Sequence, residues 1–448
     1  MTKQTRSRRE YLALIGSASA VGVAGCSSSD DDGSAFDTDA STAGDTDTAA
    51  TTDRAATGTD GETSTERESE TTEESPADGE AVTVAHLAPT SGGIAELGQR
   101  QRRGADLAVE WVNQRDAYDF ELELVGGNTE AVPDTAAAEM GRVVAEEDAR
   151  FVTGGLTVPV AGVLAERAVE NAVVYLSSGR GPQLFGSACN EWTFWCETTA
   201  AQLAASMGRH VATELGSDVW FHYGDFAYGR RVYEWTSEAM ASAADGFTEV
   251  GQTRSGPADS DFRSVIDRIR SSDAEAVVLG LSQPTLVNFL NQAADLGLTE
   301  ETAVVSPNGA SRAVRNGAGD SAVGTYGGVR YLPSLATGDN RAFVDAYRTR
   351  YGGRPDTQAR LGFDSVRFVA NGIRAAGSTD REAVSDALEG GTFTTALGDV
   401  TFREGDRLAT NPAWIGEVTA GSGTPGVERL AQVSDGRSLP PATDLDCR

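Results

Sequence analysis

Apolar and polar positions along most of this chain alternate in a pattern of short strands and amphipathic helices. The segment AVTVAHL (81–87) is almost continuously apolar, which predicts a buried strand. A helix is predicted next, because its apolar residues share one face: Ala105, Ala108, Val109 and Val112. The same strand-then-helix order recurs through FELELV (120–125), RFVTGG (150–155) and AVVYLSS (172–178), with helices from about residues 135 and 160.

A second round of the pattern begins with a helix near residue 200. It continues with strand DVWFHY (218–223), a helix from 228, strand AEAVVLG (274–280), a helix from 284 and strand TAVVS (302–306). Strands that alternate with helices form parallel sheets covered on both faces and joined by right-handed crossovers. Since the 368 residues from 81 onward exceed one compact domain, we predict an α/β fold of two lobes, each with a parallel sheet.

The first 80 residues follow a different pattern. The apolar run Leu12–Gly25 has 14 residues, whereas a helix that crosses a bilayer needs about 20. Arg8–Arg9 precedes this run and Val-Ala-Gly-Cys26 follows it, which resembles a twin-arginine export signal with a lipoprotein cleavage site. We therefore predict a signal peptide over 1–25 and lipidation of Cys26, which would anchor the chain to the outer face of a membrane.

An acidic stretch follows the predicted lipid site. Residues 26–80 are rich in Asp, Glu, Ser and Thr, and their positive charges are Arg54 and Arg67. A segment with so little apolar surface cannot offset its chain entropy by burial. We predict a disordered tether that like charges keep extended.

The charge of the whole chain indicates its surroundings. The formal net charge is −30, the isoelectric point is near 4.4, and Lys3 is the single lysine. This composition resembles that of proteins from salt-loving archaea, in which molar salt screens the repulsion between surface carboxylates. An acidic surface also argues against a nucleic-acid partner.

Cysteine and histidine positions give little support for a metal site or for catalysis. If Cys26 carries lipid, three cysteines remain in an oxidising compartment, and we predict a Cys189–Cys196 disulfide, with Cys447 free or paired to one of them. The three histidines are scattered and Cys-x-x-Cys is absent, so no metal and no cofactor are expected. The sequence also lacks a phosphate-binding loop and a Gly-x-Ser-x-Gly elbow, so we expect a protein that is not an enzyme.

Three segments resemble a known family. VTVAHLAPTSGGIAELG (82–98), GGLTVPVAGVLAERAVENAVVYLSSGRGPQL (154–184) and YGDFAYGRRVYE (223–234) are similar in order and spacing to the substrate-binding proteins of branched-chain amino acid ABC transporters, over residues 81 to about 420. The resemblance implies the type I periplasmic-binding-protein fold, whose two Rossmann-like lobes close on a ligand. Its three hinge crossovers would lie near residues 199, 329 and 409.

These crossovers set the predicted lobe boundaries. The N-terminal lobe would comprise residues 81–198 and 330–408, and the C-terminal lobe residues 199–329 and 409–448. In open α/β sheets, ligands lie beyond the carboxyl ends of the strands, where loops and helix N-termini offer free N–H groups. Four loops of this kind are predicted at 90–95, 157–160, 177–181 and 225–229.

The resemblance also implies roles for individual residues in these loops. Thr157 would contact the polar head of the ligand, Ser178 and Arg180 would hold a carboxylate, and Tyr228 would close over the ligand from the second lobe. Two positions depart from the family pattern, since Ser282 stands where an aromatic residue is common and Asn308 where an acidic residue pairs with the ligand ammonium. The predicted ligand-binding set is Ser91, Gly92, Ile94, Ala95, Thr157, Ser178, Arg180, Tyr228, Ser282 and Asn308.

The glycines of this set allow two interpretations. Gly92 and Gly93 could let the backbone approach a small ligand, or they could serve a turn that needs glycine flexibility.

Together these features predict an extracytoplasmic solute-binding lipoprotein of an ABC importer. It would capture a small-molecule ligand, a branched-chain amino acid first of all, and deliver it to permease subunits as a monomer held to the membrane by its lipid. Short amides, urea or small carboxylates are the alternative ligands, suggested by Asn308. A membrane-tethered sensor for a signalling partner is the alternative function, because it would use the same fold.

Overall fold

The computed structural model describes residues 81–179, 190–243 and 247–433. The predicted signal peptide and tether lie outside these residues, and so do Arg180, Cys189 and the predicted lobe segment from 434 onward. No helix within the described ranges is both long and apolar enough to cross a bilayer.

The first sheet is parallel throughout. Its strands are β1 (Val82–Ala88), β2 (Leu122–Asn128), β3 (Phe151–Gly154), β4 (Val174–Ser177) and β5 (Thr193–Trp195). They lie in the order β2-β1-β3-β4-β5, and each neighbouring pair is parallel. The predicted strands at 81–87, 120–125, 150–155 and 172–178 correspond to β1–β4.

The second sheet is mixed. Its strands are β6 (Asp218–Gly224), β7 (Thr248–Ser255), β8 (Ala276–Gly280), β9 (Ala303–Ser306), β10 (Tyr326–Val329), β13 (Ala413–Thr419) and β14 (Gly426–Val433), and a separate hairpin contains β11 (Thr392–Thr395) and β12 (Gly398–Thr401). The order is β14-β13-β10-β9-β8-β6-β7. Strands β6–β10 pair in parallel, and the sequence predicted β6, β8 and β9 of these, whereas β13 pairs antiparallel with both β10 and β14. The connection at 420–425 is too short for a crossover helix and therefore gives a hairpin.

Helices follow the strands at nearly the predicted positions. They are α1 (Ala95–Asn113), α2 (Pro133–Glu147), α3 (Val158–Asn171), α4 (Ala200–His210), α5 (Ala227–Ala243), α6 (Arg263–Arg270), α7 (Gln283–Asp295), α8 (Leu298–Glu301), α9 (Arg312–Ala318), α10 (Asn340–Tyr351), α11 (Thr357–Ala376) and α12 (Arg381–Leu388). A π-helical turn extends α4 over Val211–Leu215. Local chemistry explains two starts: Thr199 and Gln202 form a capping box before α4, and Asp356 Oδ1 accepts from the first amides of α11.

Both sheets are covered on both faces. Strands β1, β3 and β4 share one apolar cluster with α1 and α11, and another with α2 and α3 on the opposite face. The second sheet packs against α6, α7 and α9 on one face and against α4 and α5 on the other. This layering leaves the strand ends and their loops as the places where polar groups can meet a ligand.

The chain passes between the two sheet regions in three segments, and the first of them hydrogen-bonds to each of the other two. Asn411 Nδ2 donates to Cys196 O at 2.9 Å, and Gln202 Nε2 donates to Asn411 O at 3.4 Å. Arg330 Nε donates to Thr198 O at 3.2 Å. The lobe boundaries near residues 199, 329 and 409 stay predictions.

Candidate functional site

The carboxyl ends of three neighbouring strands bring the predicted first-lobe residues to one edge of the sheet. Strand β1 pairs with β3, and β3 with β4, so that Leu87, Gly154 and Ser177 lie side by side. The loops that leave these strands carry Ser91 and Gly92, Thr157, and Ser178. These predicted residues therefore come from three loops at the same edge.

Two of these residues hold hydroxyl groups that are buried without a partner. Thr157 precedes α3 in an extended conformation, and its Oγ1 has no hydrogen-bond partner among the described residues. Ser178 is fully buried, its N–H donates to Gly154 O at 2.7 Å, and its Oγ is likewise unpaired within the described ranges. Because a buried polar atom without a partner is costly, such atoms are suited to hydrogen bonds with a ligand.

The loop after β1 contains a turn at Gly92. Gly92 has φ of +81°, and a Cβ built there would meet no atom within 4 Å. Of the two interpretations of this glycine, the conformation supports a turn that needs positive φ. Ile94 precedes α1, Ala95 is its first residue, and the Ala95 N–H donates to Gly92 O at 3.2 Å.

Sequence reasoning missed Asn128, which lies at the end of β2. Its Oδ1 accepts from Thr90 N at 2.8 Å, and its Nδ2 donates to Ser91 Oγ at 2.9 Å. An asparagine at the carboxyl end of a predicted strand was the available signal, because such side chains often bind nearby backbone amides.

The second sheet brings its own predicted residues together in the same way. Tyr228 lies in the first turn of α5 after β6, Ser282 precedes α7 after β8, and Asn308 follows β9. Asn308 Nδ2 donates to the Tyr228 hydroxyl oxygen at 2.7 Å. The Ser282 hydroxyl lies 2.8 Å from Thr285 Oγ1. Three parallel strands thus present uncharged polar side chains at one edge.

The charged group beside these residues is already paired. Asp225 is the one carboxylate in the loops 225–228, 281–282 and 307–310, and its Oδ1 accepts from Arg230 Nε at 3.0 Å. This edge therefore offers hydrogen bonds, but no unpaired negative charge within those loops.

Comparison with known proteins identifies the family. The sequence model of the family described as periplasmic binding protein matches residues 81–423. The chain belongs to this family of periplasmic binding proteins. Its members bind substrates rather than transform them.

Individual relatives agree with this assignment. A leucine-, isoleucine-, valine-, threonine- and alanine-binding protein of Pseudomonas aeruginosa is 24% identical over 72% of this chain and 86% of its own length. The Leu/Ile/Val-binding protein BraC3 of Rhizobium johnstonii is 26% identical over 72% and 88%. The structure of the Brucella ovis leucine-, isoleucine-, valine-, threonine- and alanine-binding protein in its closed conformation has a TM-score of 0.71 at 18% identity, over 81% of this chain and 97% of that one. This last similarity shows the two-lobed type I fold.

A buried ion pair, also missed by sequence reasoning, supports the first crossover of this periplasmic binding protein. Glu197 Oε1 accepts from Thr198 N at 2.8 Å and from Arg360 Nη2 at 2.9 Å. Asp364 lies next to the pair with its Oδ2 3.9 Å from Arg360 Nη1, and burial raises the pKa of its carboxyl. The residues that form this pair are 163 positions apart, so no local pattern reveals it.

Of the predicted Cys189–Cys196 disulfide, the structure of this periplasmic binding protein describes Cys196 alone, so the pairing stays a prediction. Among the described residues Cys196 is a free thiol, fully buried in the apolar cluster under α11, and its Sγ lies 3.8 Å from Phe194 O. Burial also raises the pKa of this thiol, which keeps it protonated. Its predicted partner Cys189 lies outside the described residues, as do Cys26 and Arg180.

Two of the described histidines bind threonine hydroxyls on neighbouring strands. His86 Nδ1 lies 2.8 Å from Thr153 Oγ1, and His222 Nδ1 lies 2.9 Å from Thr253 Oγ1, each pair joining neighbouring strands. Within the described ranges, no three metal-ligating side chains come together.

Proposed function

We propose that this periplasmic binding protein captures a small polar organic solute for an ABC importer, with branched-chain amino acids as the first candidates. The observation that carries the proposal is the pair of unpaired buried hydroxyls, Thr157 Oγ1 and Ser178 Oγ, at the ends of adjacent strands. Tyr228 and Asn308 would meet the ligand from the other lobe as the lobes close. The names of the relatives from Pseudomonas aeruginosa and Rhizobium johnstonii support the choice of ligand.

A ligand screen in molar salt tests this proposal. Leucine, isoleucine and valine are compared with short amides, urea and small carboxylates by thermal shift, and the hits are measured by titration calorimetry. A ligand at about 100 times its dissociation constant stabilises the folded state by roughly 2.7 kcal/mol. If no branched-chain amino acid shifts the melting temperature at millimolar concentration, the first candidates are wrong.

Arg180 is proposed as the anchor of the ligand carboxylate, together with Ser178. A planar fork of N–H donors suits a carboxylate, and its removal would leave the anion partly desolvated. We expect Arg180→Ala to weaken binding by about 30-fold or more. A change below about threefold at constant salt would argue for an arginine on the rim of the cleft.

Uncharged ligands are the second candidate class, and the Tyr228–Asn308 hydrogen bond favours them. A ligand ammonium buried beside this uncharged pair, without a carboxylate, would cost several kcal/mol. Asn308→Asp restores an acidic group and should shift preference from amides toward amino acids. If the Asn308→Asp variant keeps the wild-type ratio of leucine to amide affinity, Asn308 does not set the preference for uncharged ligands.

The export signal and the tether complete the proposal. Lipidation at Cys26 would hold the protein at the outer membrane face, and residues 26–80 would let it reach a permease. Cys26→Ala should release the protein into the medium or block its maturation, as fractionation and immunoblotting would show. Unchanged membrane attachment of that variant would eliminate the lipid anchor.

A further inference from the structure

Hydrogen bonds to both backbone polar groups of Thr90 hold the loop between β1 and α1. Thr90 N donates to Asn128 Oδ1 at 2.8 Å, and Thr90 O accepts from Gln99 Nε2 at 3.4 Å. Farther along, Gly98 packs so tightly that a Cβ there would lie 1.9 Å from Pro89 O. The predicted ligand loop is therefore fixed from β2 and from α1, although Thr90 and Ser91 are exposed.

The side chain of Asn128 makes three hydrogen bonds that determine its orientation. Its Oδ1 accepts from two backbone amides, Thr90 N at 2.8 Å and Glu130 N at 3.2 Å. Since a backbone N–H can only donate, the amide oxygen must face these two groups, and the NH₂ group must face Ser91. Asn128 Nδ2 then donates to Ser91 Oγ at 2.9 Å.

This bond decides what the Ser91 hydroxyl can do. A serine oxygen that accepts from an amide keeps its own proton for another acceptor. Ser91 Oγ makes no other hydrogen bond among the described residues, so this proton is available to a ligand. The loop thus offers a donor, which suits a carboxylate or a carbonyl oxygen.

The backbone beyond Asn128 is strained. Glu130 and Ala131 both have left-handed conformations, with φ of 51° and 61°. A left-handed conformation is costly for residues other than glycine, and such strain persists where the surroundings enforce it, commonly at ligand clamps. Here Asn128 Oδ1 accepts from Glu130 N, and Thr129 Oγ1 accepts from Ala131 N at 3.4 Å.

We propose that Asn128 is a positioning residue for ligand binding. It holds the loop after β1, and it orients the Ser91 hydroxyl so that this group donates a hydrogen bond to an oxygen of the ligand. This inference rests on the proposed function, because it assumes that the loop contacts the solute. Asn128 itself acts through Ser91 and the Thr90 backbone.

Two substitutions separate anchoring of the loop from orientation of the hydroxyl. Asn128→Ala removes all three bonds. Asn128→Asp keeps an oxygen for Thr90 N and Glu130 N, but it can only accept, so it draws the Ser91 proton toward itself and away from the ligand. Asn113→Ala is the matched control, because Asn113 forms a similar two-way clamp to Leu122 at the opposite end of β2, with both bonds 2.9 Å long.

Hydrogen exchange of the ligand-free protein measures the anchoring. Amides of residues 90–95 should exchange roughly tenfold faster in Asn128→Ala than in wild type. In Asn128→Asp and Asn113→Ala, their exchange should stay within about threefold of wild type. Equal exchange in Asn128→Ala and wild type would refute the anchoring role, whether or not a ligand has been found.

Titration calorimetry with leucine, isoleucine and valine in molar salt measures the orientation. Both Asn128 variants should bind about tenfold or more weakly, whereas Asn113→Ala should change affinity less than threefold. In a Ser91→Ala background, Asn128→Asp should cost little further affinity, because the hydroxyl it misdirects is gone. Wild-type affinity in Asn128→Asp would overturn the orienting role.

The two measurements also separate this inference from the proposed function. If wild type binds none of the probes, the amino acid assignment and the orienting role for amino acids both fail, while exchange still decides the anchoring role. If wild type binds leucine and the Asn128 variants bind it equally well, the proposed function stands and the positioning inference falls.

Discussion

Glu197 and Arg360 form an ion pair that water does not reach, since their side chains are 0% and 1% exposed. Taking two charges out of water is costly, and their attraction offsets the cost only while both are present. Thr198 N donates to the same carboxylate, so the pair connects α11 to the segment between β5 and α4.

Removing one member of this pair should therefore strongly destabilise the folded protein. Arg360→Ala leaves Glu197 charged and buried, and we expect the free energy of unfolding to fall by about 3–5 kcal/mol. Urea denaturation in molar salt measures this change. The combination of Arg360→Met with Glu197→Gln should lower the free energy of unfolding less than Arg360→Ala alone. Arg263→Ala, which breaks a fully exposed pair with Asp261, should leave the midpoint unchanged.

His86 makes the fold sensitive to mild acid. Burial lowers its pKa to about 3, with the Arg102 charge adding to the effect, against a usual value of 6.5. Between pH 6.5 and 3 the His86 ring is therefore protonated in the unfolded chain but neutral in the folded chain. The free energy of unfolding falls as the pH drops through this range.

From pH 7 to pH 5, His86 alone should cost about 2 kcal/mol of stability. His86→Asn can keep the contact to Thr153 while removing the ring, so its unfolding free energy should depend less steeply on pH over this range. Denaturant titrations of both proteins at pH 7, 6 and 5 measure the difference. Parallel pH profiles would show that this histidine does not control acid sensitivity.

At the scale of elements, α1 and α11 pack at glycine contacts. A Cβ on Gly104 would lie 1.9 Å from Ala359 O, and a Cβ on Gly362 would lie 1.9 Å from Gln101 O. The helix backbones therefore touch, and α11 is almost wholly buried beneath the first sheet.

This contact predicts opposite effects for the same substitution in two helices. Gly362→Ala should destabilise by about 1–3 kcal/mol, because one methyl group forces the helices apart. Gly141→Ala, in α2 with open space around it, should stabilise by up to about 1 kcal/mol through helix propensity. Thermal unfolding of both variants tests this. If Gly362→Ala leaves the melting temperature unchanged, the two helices can move apart without cost.

At the scale of the whole molecule, the excess of negative charge makes stability depend on salt. The chain has 67 acidic and 37 basic residues, and many described ion pairs lie on the surface, where each contributes little. Repulsion among the remaining carboxylates acts across the surface. Its range is about 3 Å in 1 M salt and about 30 Å in 0.01 M salt.

We therefore expect the melting temperature to fall markedly when the protein is dialysed from molar to millimolar salt. Differential scanning calorimetry across a series of potassium chloride concentrations measures the trend. The pH profile of His86→Asn, recorded at constant salt, distinguishes this effect from proton binding. A melting temperature that does not depend on salt would eliminate the halophilic interpretation.

The element pattern was largely readable from the sequence because it depends on local physics. Apolar runs predicted β1–β4, β6, β8 and β9, and the predicted helix starts at 200, 228 and 284 differ by at most one residue from those of α4, α5 and α7. In the second sheet, strands β7, β10, β13 and β14 were not predicted. For β13 and β14 no local signal was available, since a hairpin joined to a parallel sheet depends on which edge strand it meets.

The sequence by itself determined the α/β class, the net negative charge and the positions of the strand-end loops in which the ligand site is predicted, because periodicity, charge and strand ends are properties of short segments. Only the tertiary structure decided the Glu197–Arg360 pair, the burial of Cys196 and the orientation of Ser91 by Asn128. Each of these depends on side chains dozens of positions apart or on a neighbouring layer. Such contacts leave no periodic trace in the chain, since they arise only after the sheets and helices have packed.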